Sequence, residues 1–338
     1  MNITLAISKI TSGLHLEENE MSEVMLDLLE GRATDAQIGA FLIALNMKGE
    51  TVQEVLGAAK IMRQLSAKVE VNKEHLVDTC GTGGSGIGIF NVSTTAAFVA
   101  CACGARVAKH GNRSATRNSG SAALLEAAGV SLELNPSQVA DCIENVGLGF
   151  MFAPSHHSAM KHVIGPRKEI AHKSIFNILG PLTNPASTLN QVMGVYDEKW
   201  VKPVAKVHQY LGSKNVMVVH SEDNLDEISI ASKTKVVELR EDKISEYVIS
   251  PEEFGIELQP LDQLKVNSPE ESLSMVKKAL NGELTAASSM VALNAGAALY
   301  VAGVEDSLAQ GIERAREGID KKLGLSKLHE LSEYTKSL

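Results

Sequence analysis

The sequence predicts an α/β fold in which a small, all-helical N-terminal domain is joined to a large α/β domain with a central, mostly parallel sheet. Three observations lead to this prediction. Residues 1–70 carry only helical patterns, the chain from residue 76 alternates strand-like apolar runs with helical segments, and the C-terminal part is helical again. With 338 residues the chain is long enough for two domains. We place the helical domain at 1–70, joined by helices from about 160–190, and the α/β domain at 71–338.

The N-terminal helices carry start and stop signals. Thr34 with Gln37, and Thr51 with Glu54, each fit a capping box, in which two side chains satisfy free backbone groups at a helix N-terminus. Apolar residues at helical spacing follow both boxes, and Gly49 stands where a glycine commonly ends a helix. Four short helices bury little apolar surface on their own. We therefore expect this domain to pack against another surface, such as a second copy of the chain.

Apolar runs after residue 75 predict the strands of the sheet, and helical segments separate them. The predicted strands are Leu76–Thr79, Arg106–Lys109, Leu148–Phe152, Gln191–Val195 and Val216–His220, then Ile228–Ile230, Lys235–Arg240 and Ile244–Ile249. The predicted helices are Thr94–Cys103, Ser121–Ala128 and Pro136–Val146, then Glu270–Leu280, Ala286–Val301 and Ser307–Gly318. One glycine and two prolines in Gly180–Pro185 predict a rigid loop and no helix.

A glycine-rich loop follows the first predicted strand. Five glycines fall between residues 81 and 88, and Asn91, Ser93 and Thr94 supply polar side chains where the next helix starts. Backbone N–H groups free of side chains, together with a helix N-terminus, favour the binding of phosphate. The loop lacks the Gly-Lys-Ser/Thr of a P-loop and is a poor dinucleotide fingerprint. An ordinary strand-to-helix turn is the alternative, which the density of glycines makes less favoured.

Positive charge is concentrated after the second predicted strand, in Lys109-His110-Gly111-Asn112-Arg113 and at Arg117. The whole chain is acidic, with a formal net charge of -9, which argues against a nucleic-acid-binding protein. A basic cluster in an acidic protein predicts an anionic ligand, and a solvated surface turn is the alternative. Because ligands of α/β sheets bind at the carboxyl ends of strands, we expect the basic run and the glycine loop to bind one substrate with several phosphates. Ser119-Gly120-Ser121 is a candidate second anion site.

The turn after the fifth predicted strand contains four carboxylates, those of Glu222, Asp223, Asp226 and Glu227. Carboxylate oxygens near phosphates suit Mg²⁺, which prefers oxygen ligands and is often shared with substrate phosphates. A solvated loop is the alternative for such a turn. The pair His156-His157 does not predict a zinc site, because no third ligand has a matching spacing.

Composition indicates the compartment. The four cysteines, Cys80, Cys101, Cys103 and Cys142, are too few for a disulfide framework, and we expect them to be reduced residues of the core. The N-terminus lacks the features of a secretory signal, and no apolar run reaches the length of a membrane span. We therefore expect a cytoplasmic protein that binds neither membranes nor nucleic acid.

The motifs taken together resemble one family. The resemblance is carried, in order, by Asp78–Thr94, Lys109–Arg113, Ser119–Ala122, Phe152-Ala153-Pro154, Phe176–Ala186, Leu225-Asp226-Glu227 and Met290–Gly296. This set spans nearly the whole chain and resembles the anthranilate phosphoribosyltransferases. The resemblance implies a nucleoside phosphorylase/phosphoribosyltransferase-like fold, homodimers paired through the helical domains, and Mg²⁺ as cofactor. It also implies transfer of the phosphoribosyl group of phosphoribosyl pyrophosphate to the amine of anthranilate, a step of tryptophan biosynthesis.

The resemblance further implies roles for individual residues. Those implied to bind phosphoribosyl pyrophosphate are Gly81, Gly84, Ser85, Ile89, Asn91, Val92, Ser93, Thr94, Lys109, His110, Gly111, Asn112, Arg113, Ser114, Ala115, Thr116, Arg117 and Ser121. Anthranilate would contact Gly81, Asn112 and Arg167, with His157 along its access path. Mg²⁺ would bind Ser93, Asp226 and Glu227. No covalent nucleophile is assigned, because the aryl amine of anthranilate is neutral at pH 7 and already nucleophilic.

Several positions depart from the pattern of the family. Ser85 stands where Asp is common, Ile89 where Thr is frequent, Thr116-Arg117-Asn118 where Ser-Ser-Lys is usual, Ala123 where Asp is common, and His172-Lys173-Ser174 where x-Arg-Thr is usual. Loss of a carboxylate at Ser85 is expected to affect metal dependence. Two alternative functions stay open. One is a pyrimidine nucleoside phosphorylase of the same fold, which would carry Lys-His-Ser, and the other is a non-catalytic, basic relative that binds nucleic acid.

Overall fold

The computed structural model describes residues 1–84, 86–113, 120–283 and 286–338. Four helices come first: α1 (Ile3–Thr11), α2 (Glu18–Leu29), α3 (Asp35–Lys48) and α4 (Val52–Leu65). The capping boxes of Thr34 with Gln37 and of Thr51 with Glu54 are both formed, which confirms the predicted starts of α3 and α4. Gly49 follows α3 with a φ of 88°, which a glycine adopts without strain.

A seven-stranded sheet forms the centre of the remaining chain. Its strands are β1 (Leu76–Gly81), β2 (Arg106–Gly111), β3 (Leu148–Phe152), β4 (Asn190–Gly194), β5 (Asn215–Ser221), β6 (Thr234–Arg240) and β7 (Lys243–Ile249). Their order across the sheet is β3-β2-β1-β4-β5-β6-β7. The first five strands pair in parallel, and β6 and β7 extend the sheet as antiparallel strands. The predicted mostly parallel sheet is confirmed.

Helices connect the strands and complete the C-terminal part. They are α5 (Val92–Ala102), α6 (Ser121–Ala127), α7 (Pro136–Asn145), α8 (Ala153–His156), α9 (Lys161–Ile170), α10 (Phe176–Leu182), α11 (Val201–Tyr210), α12 (Pro269–Leu280), α13 (Ala286–Val301), α14 (Leu308–Asp320) and α15 (Leu323–Lys336). The predicted helices include no counterpart of α11 or α15. None of the helices in the described part of the chain has both the length and the apolar character needed to cross a lipid bilayer.

Two groups of buried apolar side chains cover the two faces of the sheet. One contains α5 and α13 together with residues such as Val192 of β4. The other joins α1–α4 to α9, α10 and α11 and includes Met193, the next residue of β4. Successive strand residues point to opposite faces, which is why these two neighbours belong to different cores. The N-terminal helices therefore share one continuous core with α9–α11 and with the sheet.

The prediction of a strand at Ile228–Ile230 is wrong. The two isoleucines are buried, but the segment forms no ladder. The Asn294 side chain on α13 instead accepts a hydrogen bond from the N–H of Ile228 and donates one to its carbonyl. A side chain thus replaces the neighbouring strand that the apolar run suggested.

The prediction of a loop without helix at Gly180–Pro185 is wrong for its first three residues, because α10 continues to Leu182. Three side chains from outside the helix donate to its last carbonyls. Their donor atoms are His110 Nδ1 to Gly180 (3.1 Å), Gln191 Nε2 to Pro181 (2.8 Å) and Arg63 Nε to Leu182 (2.6 Å). These bonds satisfy carbonyls that a helix C-terminus leaves free.

Candidate active site

The strand order opens a crevice at the carboxyl ends of β1 and β4. From β1 the chain proceeds to β2 and β3 on one side, and it then crosses to β4 on the other side. Open α/β sheets bind ligands at such a switch point. Gly81 and Gly194 end the two strands and face each other in register. The residues described below gather around this glycine pair.

Asp226 crosses directly over the glycine pair. A Cβ on Gly81 would overlap the Asp226 carboxylate, and a Cβ on Gly194 would overlap the Asp226 carbonyl group. The N–H of Gly83 donates to Oδ2 of Asp226 at 2.7 Å. Asp226 and Glu227 are only 3% and 9% exposed. For these two residues the acidic turn is therefore part of the buried crevice, and the interpretation as a solvated loop is wrong.

The other two carboxylates of the turn have different surroundings. Glu222 is exposed to solvent. Asp223 accepts hydrogen bonds from the hydroxyls of Ser221 and Ser229, each at 2.5 Å. Asp223 therefore shapes the turn, while Asp226 and Glu227 reach the crevice.

Asn294 of α13 holds the turn from the opposite side. Its Oδ1 accepts from the N–H of Ile228 at 3.0 Å, and its Nδ2 donates to the Ile228 carbonyl at 2.9 Å. These two bonds fix the residue that directly follows Glu227. The sequence interpretation assigned no role to Asn294. The available signal was a single amide in a helix of small apolar residues, where a buried polar side chain needs a partner.

Lys109 reaches the crevice from β2. Its buried ammonium group donates to the carbonyl of Thr79 and lies 3.4 Å from Ser93 Oγ. Burial lowers the pKa of Lys109, and the negative charges of Asp78 and Glu227 act to raise it. Its two nearest partners, a carbonyl and a hydroxyl, are neutral and do not cancel its charge. Lys109 therefore supplies positive charge to the crevice.

Asp78 is a fully buried carboxylate beneath the site. It accepts hydrogen bonds from Asn184 Nδ2 at 2.8 Å, Gln191 Nε2 at 3.0 Å and the N–H of His110 at 3.2 Å. Burial raises the pKa of Asp78, and the charge of Lys109 and these hydrogen bonds act to lower it. The opposite charges of Asp78 and Lys109 thus offset part of each other's desolvation. Asp78 begins the glycine motif, and the sequence interpretation gave it no role.

The glycine loop leads into the N-terminus of α5. Gly83, Gly84 and Gly86 have φ values of 66°, 82° and 74°, in the left-handed region that favours glycine. Asn91 precedes the helix, and its Oδ1 accepts from Ser272 Oγ at 2.7 Å. Within the described chain the Thr94 hydroxyl is buried and makes no hydrogen bond. A buried hydroxyl in the first turn of a helix, at the positive end of the helix dipole, is suited to an anionic ligand.

Ile89 and Val92, two of the residues implied to bind phosphate, are buried in the apolar core. Ile89 is 3% exposed, belongs to the apolar core and forms a bridge with Lys265, so its side chain contributes packing. Val92 is also buried in this core and begins α5. Their backbone N–H groups donate to the carbonyls of Ile87 and Phe90, so neither residue presents a free donor to a ligand.

The basic segment after β2 is described only at its two ends. Arg113 is exposed, forms an ion pair with Glu126 and lies 5.0 Å from the ring centroid of Phe152. Gly111 is so close to the next helix that a Cβ would overlap Ser121 Oγ. The predicted ligands Ser85, Ser114, Ala115, Thr116 and Arg117 lie outside the described residues.

Two neutral histidines adjoin the crevice. The rings of His110 and His157 are 5.1 Å apart between centroids. Nδ1 of His110 carries a proton, because its partner is the carbonyl of Gly180. Burial lowers the pKa of His110 to about 3 and that of His157 to about 4, so both rings are neutral near pH 7. Their Nε2 atoms are buried and have no hydrogen-bond partner among the described residues.

Arg167 lies on α9 with its guanidinium carbon 4.8 Å from the ring centroid of Phe176. The side chain is partly buried, which lowers its pKa, and no carboxylate of the described chain forms an ion pair with it. Arg167 and His110 contact the same helix. Phe176, beside Arg167, begins α10, and the carbonyl of Gly180 near the end of α10 accepts a hydrogen bond from His110.

The donors proposed for a metal are all oxygen atoms. Ser93 and Glu227 line the same small cavity, about 10 Å³ in volume, together with Thr79 and Asn294. Asp226 lies beside them over the glycine pair. In the described ranges no three His, Cys, Asp or Glu side chains converge as a complete metal cage. A hydroxyl and two carboxylates fit Mg²⁺, which commonly takes its remaining ligands from water and substrate phosphates.

Two family profiles match the helical part and the α/β part of the chain. Residues 4–66 match the glycosyl transferase family, helical bundle domain, and residues 73–322 match the glycosyl transferase family, a/b domain. The protein is therefore a glycosyl transferase of this two-domain class.

Individual relatives narrow this class. The chain is 54% identical to an anthranilate phosphoribosyltransferase from Marinomonas sp. (strain MWYL1), covering 99% of this chain and 98% of the relative. The crystal structure of the enzyme of that name from Thermus thermophilus aligns with a TM-score of 0.93 at 40% identity, covering 98% of this chain and 99% of that one. The Saccharomyces cerevisiae enzyme in complex with PRPP and Mg aligns with a TM-score of 0.89 at 27% identity, covering 99% of this chain and 98% of that one. The chain belongs to the anthranilate phosphoribosyltransferase family, which confirms the resemblance.

Proposed function

We propose that this protein transfers the phosphoribosyl group of phosphoribosyl pyrophosphate to the amine of anthranilate, releasing pyrophosphate, in tryptophan biosynthesis. One observation carries the proposal. Lys109, Ser93 and the Asp226–Glu227 pair meet at the carboxyl ends of β1 and β4, next to a glycine loop and a helix N-terminus. This combination suits a substrate with a leaving diphosphate.

The phosphates would bind to the glycine loop and the first turn of α5. The positive end of the helix dipole favours anions there, and the hydroxyls of Ser93 and Thr94 add donors. As pyrophosphate departs, negative charge grows on its oxygens. Lys109, held in place by Thr79, stabilises that charge most strongly in the transition state.

Ser93, Asp226 and Glu227 would hold Mg²⁺. When bound, the ion neutralises charge on the diphosphate and orients it. Asp226 is kept in position by the N–H of Gly83, and Glu227 by the bonds of Asn294 to the next residue. These hydrogen bonds restrict the positions of the two carboxylates.

Anthranilate would bind between Arg167 and the histidines. The Arg167 guanidinium can pair with the anthranilate carboxylate, and Phe176 restricts its orientation. Asn112 offers an amide at the phosphate side, and the neutral ring of His110, whose Nδ1 donates to Gly180, offers an unprotonated Nε2 acceptor. The aromatic amine needs no covalent catalyst, so positioning beside the sugar would supply much of the rate.

The assembly is proposed to be a cytoplasmic homodimer formed through a helical domain of residues 1–70 with α9 and α10. Several large apolar side chains are exposed on this part of the molecule. They are Leu5 (58%), Leu14 (57%), Met47 (82%) and Ile164 (40%). Such exposed apolar side chains would be covered at a protein–protein interface.

The test follows the loss of anthranilate fluorescence with purified protein, omitting phosphoribosyl pyrophosphate or Mg²⁺ in turn. Turnover is expected only with both present. Asp226→Asn combined with Glu227→Gln is expected to lower Mg²⁺-dependent turnover about 100-fold or more. Glu222→Gln, in the exposed part of the same turn, is the matched control and is expected to keep full activity.

Two outcomes would contradict the proposal. One is no turnover of anthranilate in the complete mixture. The other is phosphorolysis of thymidine or uridine with inorganic phosphate, which would assign the protein to the nucleoside phosphorylases. An unchanged Mg²⁺ titration in the double variant would remove the metal role from Asp226 and Glu227.

A further inference from the structure

Lys173 lies between two parts of the molecule that bind different substrates in the proposed function. It lies in the segment between α9, which carries Arg167, and α10. Its Nζ lies 3.2 Å from the carbonyl oxygen of Gly84, in the glycine loop, and 3.8 Å from the ring centroid of Tyr196. The side chain therefore spans from the segment after Arg167 to the phosphate loop.

The surroundings hold Lys173 in this position. Ser174 is buried, and its N–H donates to Asn177 Oδ1 at 3.0 Å, which fixes the backbone next to Lys173. The N–H of Tyr196 donates to Thr82 Oγ1 at 2.9 Å, so the ring beneath the ammonium group is tied to the same loop. A cation over an aromatic ring is favourable even at a partly exposed site.

The partners of Lys173 leave its charge uncompensated. In the described ranges no carboxylate forms an ion pair with it, and the residue itself is exposed. An ammonium group has three donors, and one neutral carbonyl occupies a single donor. A phosphate oxygen on the amides of this loop would be a stronger partner than that carbonyl.

We propose that Lys173 is a further ligand of the sugar diphosphate, which it binds from the side opposite Lys109. This inference rests on the proposed function. The ammonium group would leave the Gly84 carbonyl or share it with a phosphate oxygen when the diphosphate occupies the loop.

The experiment compares Lys173→Gln, Lys173→Met and Lys173→Arg with the wild type. If the charge is what matters, Gln and Met are both expected to raise the KM for phosphoribosyl pyrophosphate about tenfold, and Arg to raise it less than about threefold. The inhibition constant of inorganic pyrophosphate is expected to rise by the same factor in Gln and Met. The KM for anthranilate at saturating diphosphate is expected to stay within about twofold. Lys168→Gln, which removes an exposed lysine from α9, is the matched control and is expected to be unchanged.

A purely structural role predicts a different pattern. Gln can still donate to the Gly84 carbonyl, so a residue that only holds the loop would tolerate Gln and fail with Met. That pattern, or an unchanged KM for the diphosphate in every variant, would overturn the inference while wild-type turnover keeps the proposed function intact. Absence of wild-type turnover would instead refute the proposed function itself.

Discussion

Gly194→Ala would test whether close backbone packing positions the carboxylates of the crevice. Gly194 ends β4 in an extended conformation that alanine also adopts, so backbone strain does not oppose the substitution. The obstacle is Asp226. An added Cβ would overlap the Asp226 carbonyl carbon and oxygen and would lie only 3.0 Å from its Cα. No flexible side-chain end is involved, so the backbone of the turn must move.

The size of the effect follows from that overlap. Relieving it requires the Asp226 backbone to retreat by about 1 Å, a displacement that can cost about 100-fold in rate when it moves catalytic groups. Overpacking of this kind also destabilises a fold by about 1–3 kcal/mol. The bonds of Asn294 to Ile228 resist the movement, because breaking them would leave buried backbone groups unpaired. We therefore expect lower turnover and a raised Mg²⁺ requirement together with a moderate loss of stability.

Initial rates over a Mg²⁺ titration and urea unfolding midpoints measure the two effects separately. Gly165→Ala is the control, since Gly165 is an exposed residue of α9 with open space around the added methyl group. It is expected to keep full activity and to gain up to about 1 kcal/mol from helix propensity. A Gly194→Ala enzyme with wild-type turnover and Mg²⁺ response would refute the link between the glycine pair and the metal site.

Three further substitutions address other parts of the molecule. Arg167→Ala is expected to raise the KM for anthranilate at least about tenfold and to change that for phosphoribosyl pyrophosphate less than about twofold; equal losses in steady-state kinetics would remove the assignment. Glu54→Gln is expected to lower the free energy of unfolding by about 3 kcal/mol, because it leaves Lys48, with a side chain only 4% exposed, without its buried partner at 2.9 Å; a loss below about 1 kcal/mol in urea would contradict this. Burial lowers the pKa of His208 from 6.5 to about 3, so between these two pH values the unfolded chain binds a proton that the folded chain excludes, and stability falls as the pH falls. The slope of the free energy of unfolding against pH, between about pH 6 and pH 4, is therefore expected to be smaller in His208→Asn by the contribution of about one proton. An unchanged slope would show that the folded protein accommodates the charged ring.

Much of the fold followed from local patterns that act within a few residues. The capping boxes before α3 and α4 were readable because a cap is made by residues three apart. The alternation of apolar strands and helices predicted parallel pairing, and parallel strands bring their carboxyl ends to one edge. For that reason the glycine loop after β1 and Lys109 at β2 could be expected in the same site before any contact was known.

Predictions failed where a distant side chain supplied what the local sequence lacks. The apolar run at Ile228–Ile230 has the composition of a strand, but Asn294 satisfies its backbone from α13. The prolines and glycine of Gly180–Pro185 indicate a loop, but three distant donors satisfy the carbonyls at the end of α10. No pattern within a segment contains information about such partners.

The order of residues along the chain was enough to predict which chemical groups this protein has: a glycine loop, a basic strand end and an acidic turn on an α/β framework. Tertiary structure alone decided that β4 pairs with β1, that Gly81 and Gly194 therefore face each other, and that Asp226 fits over them. The difference lies in how far apart the interacting residues are along the chain. Helix caps and turns depend on neighbours in the chain, whereas the order of strands and the depth of a crevice depend on close packing between segments that are far apart in the sequence.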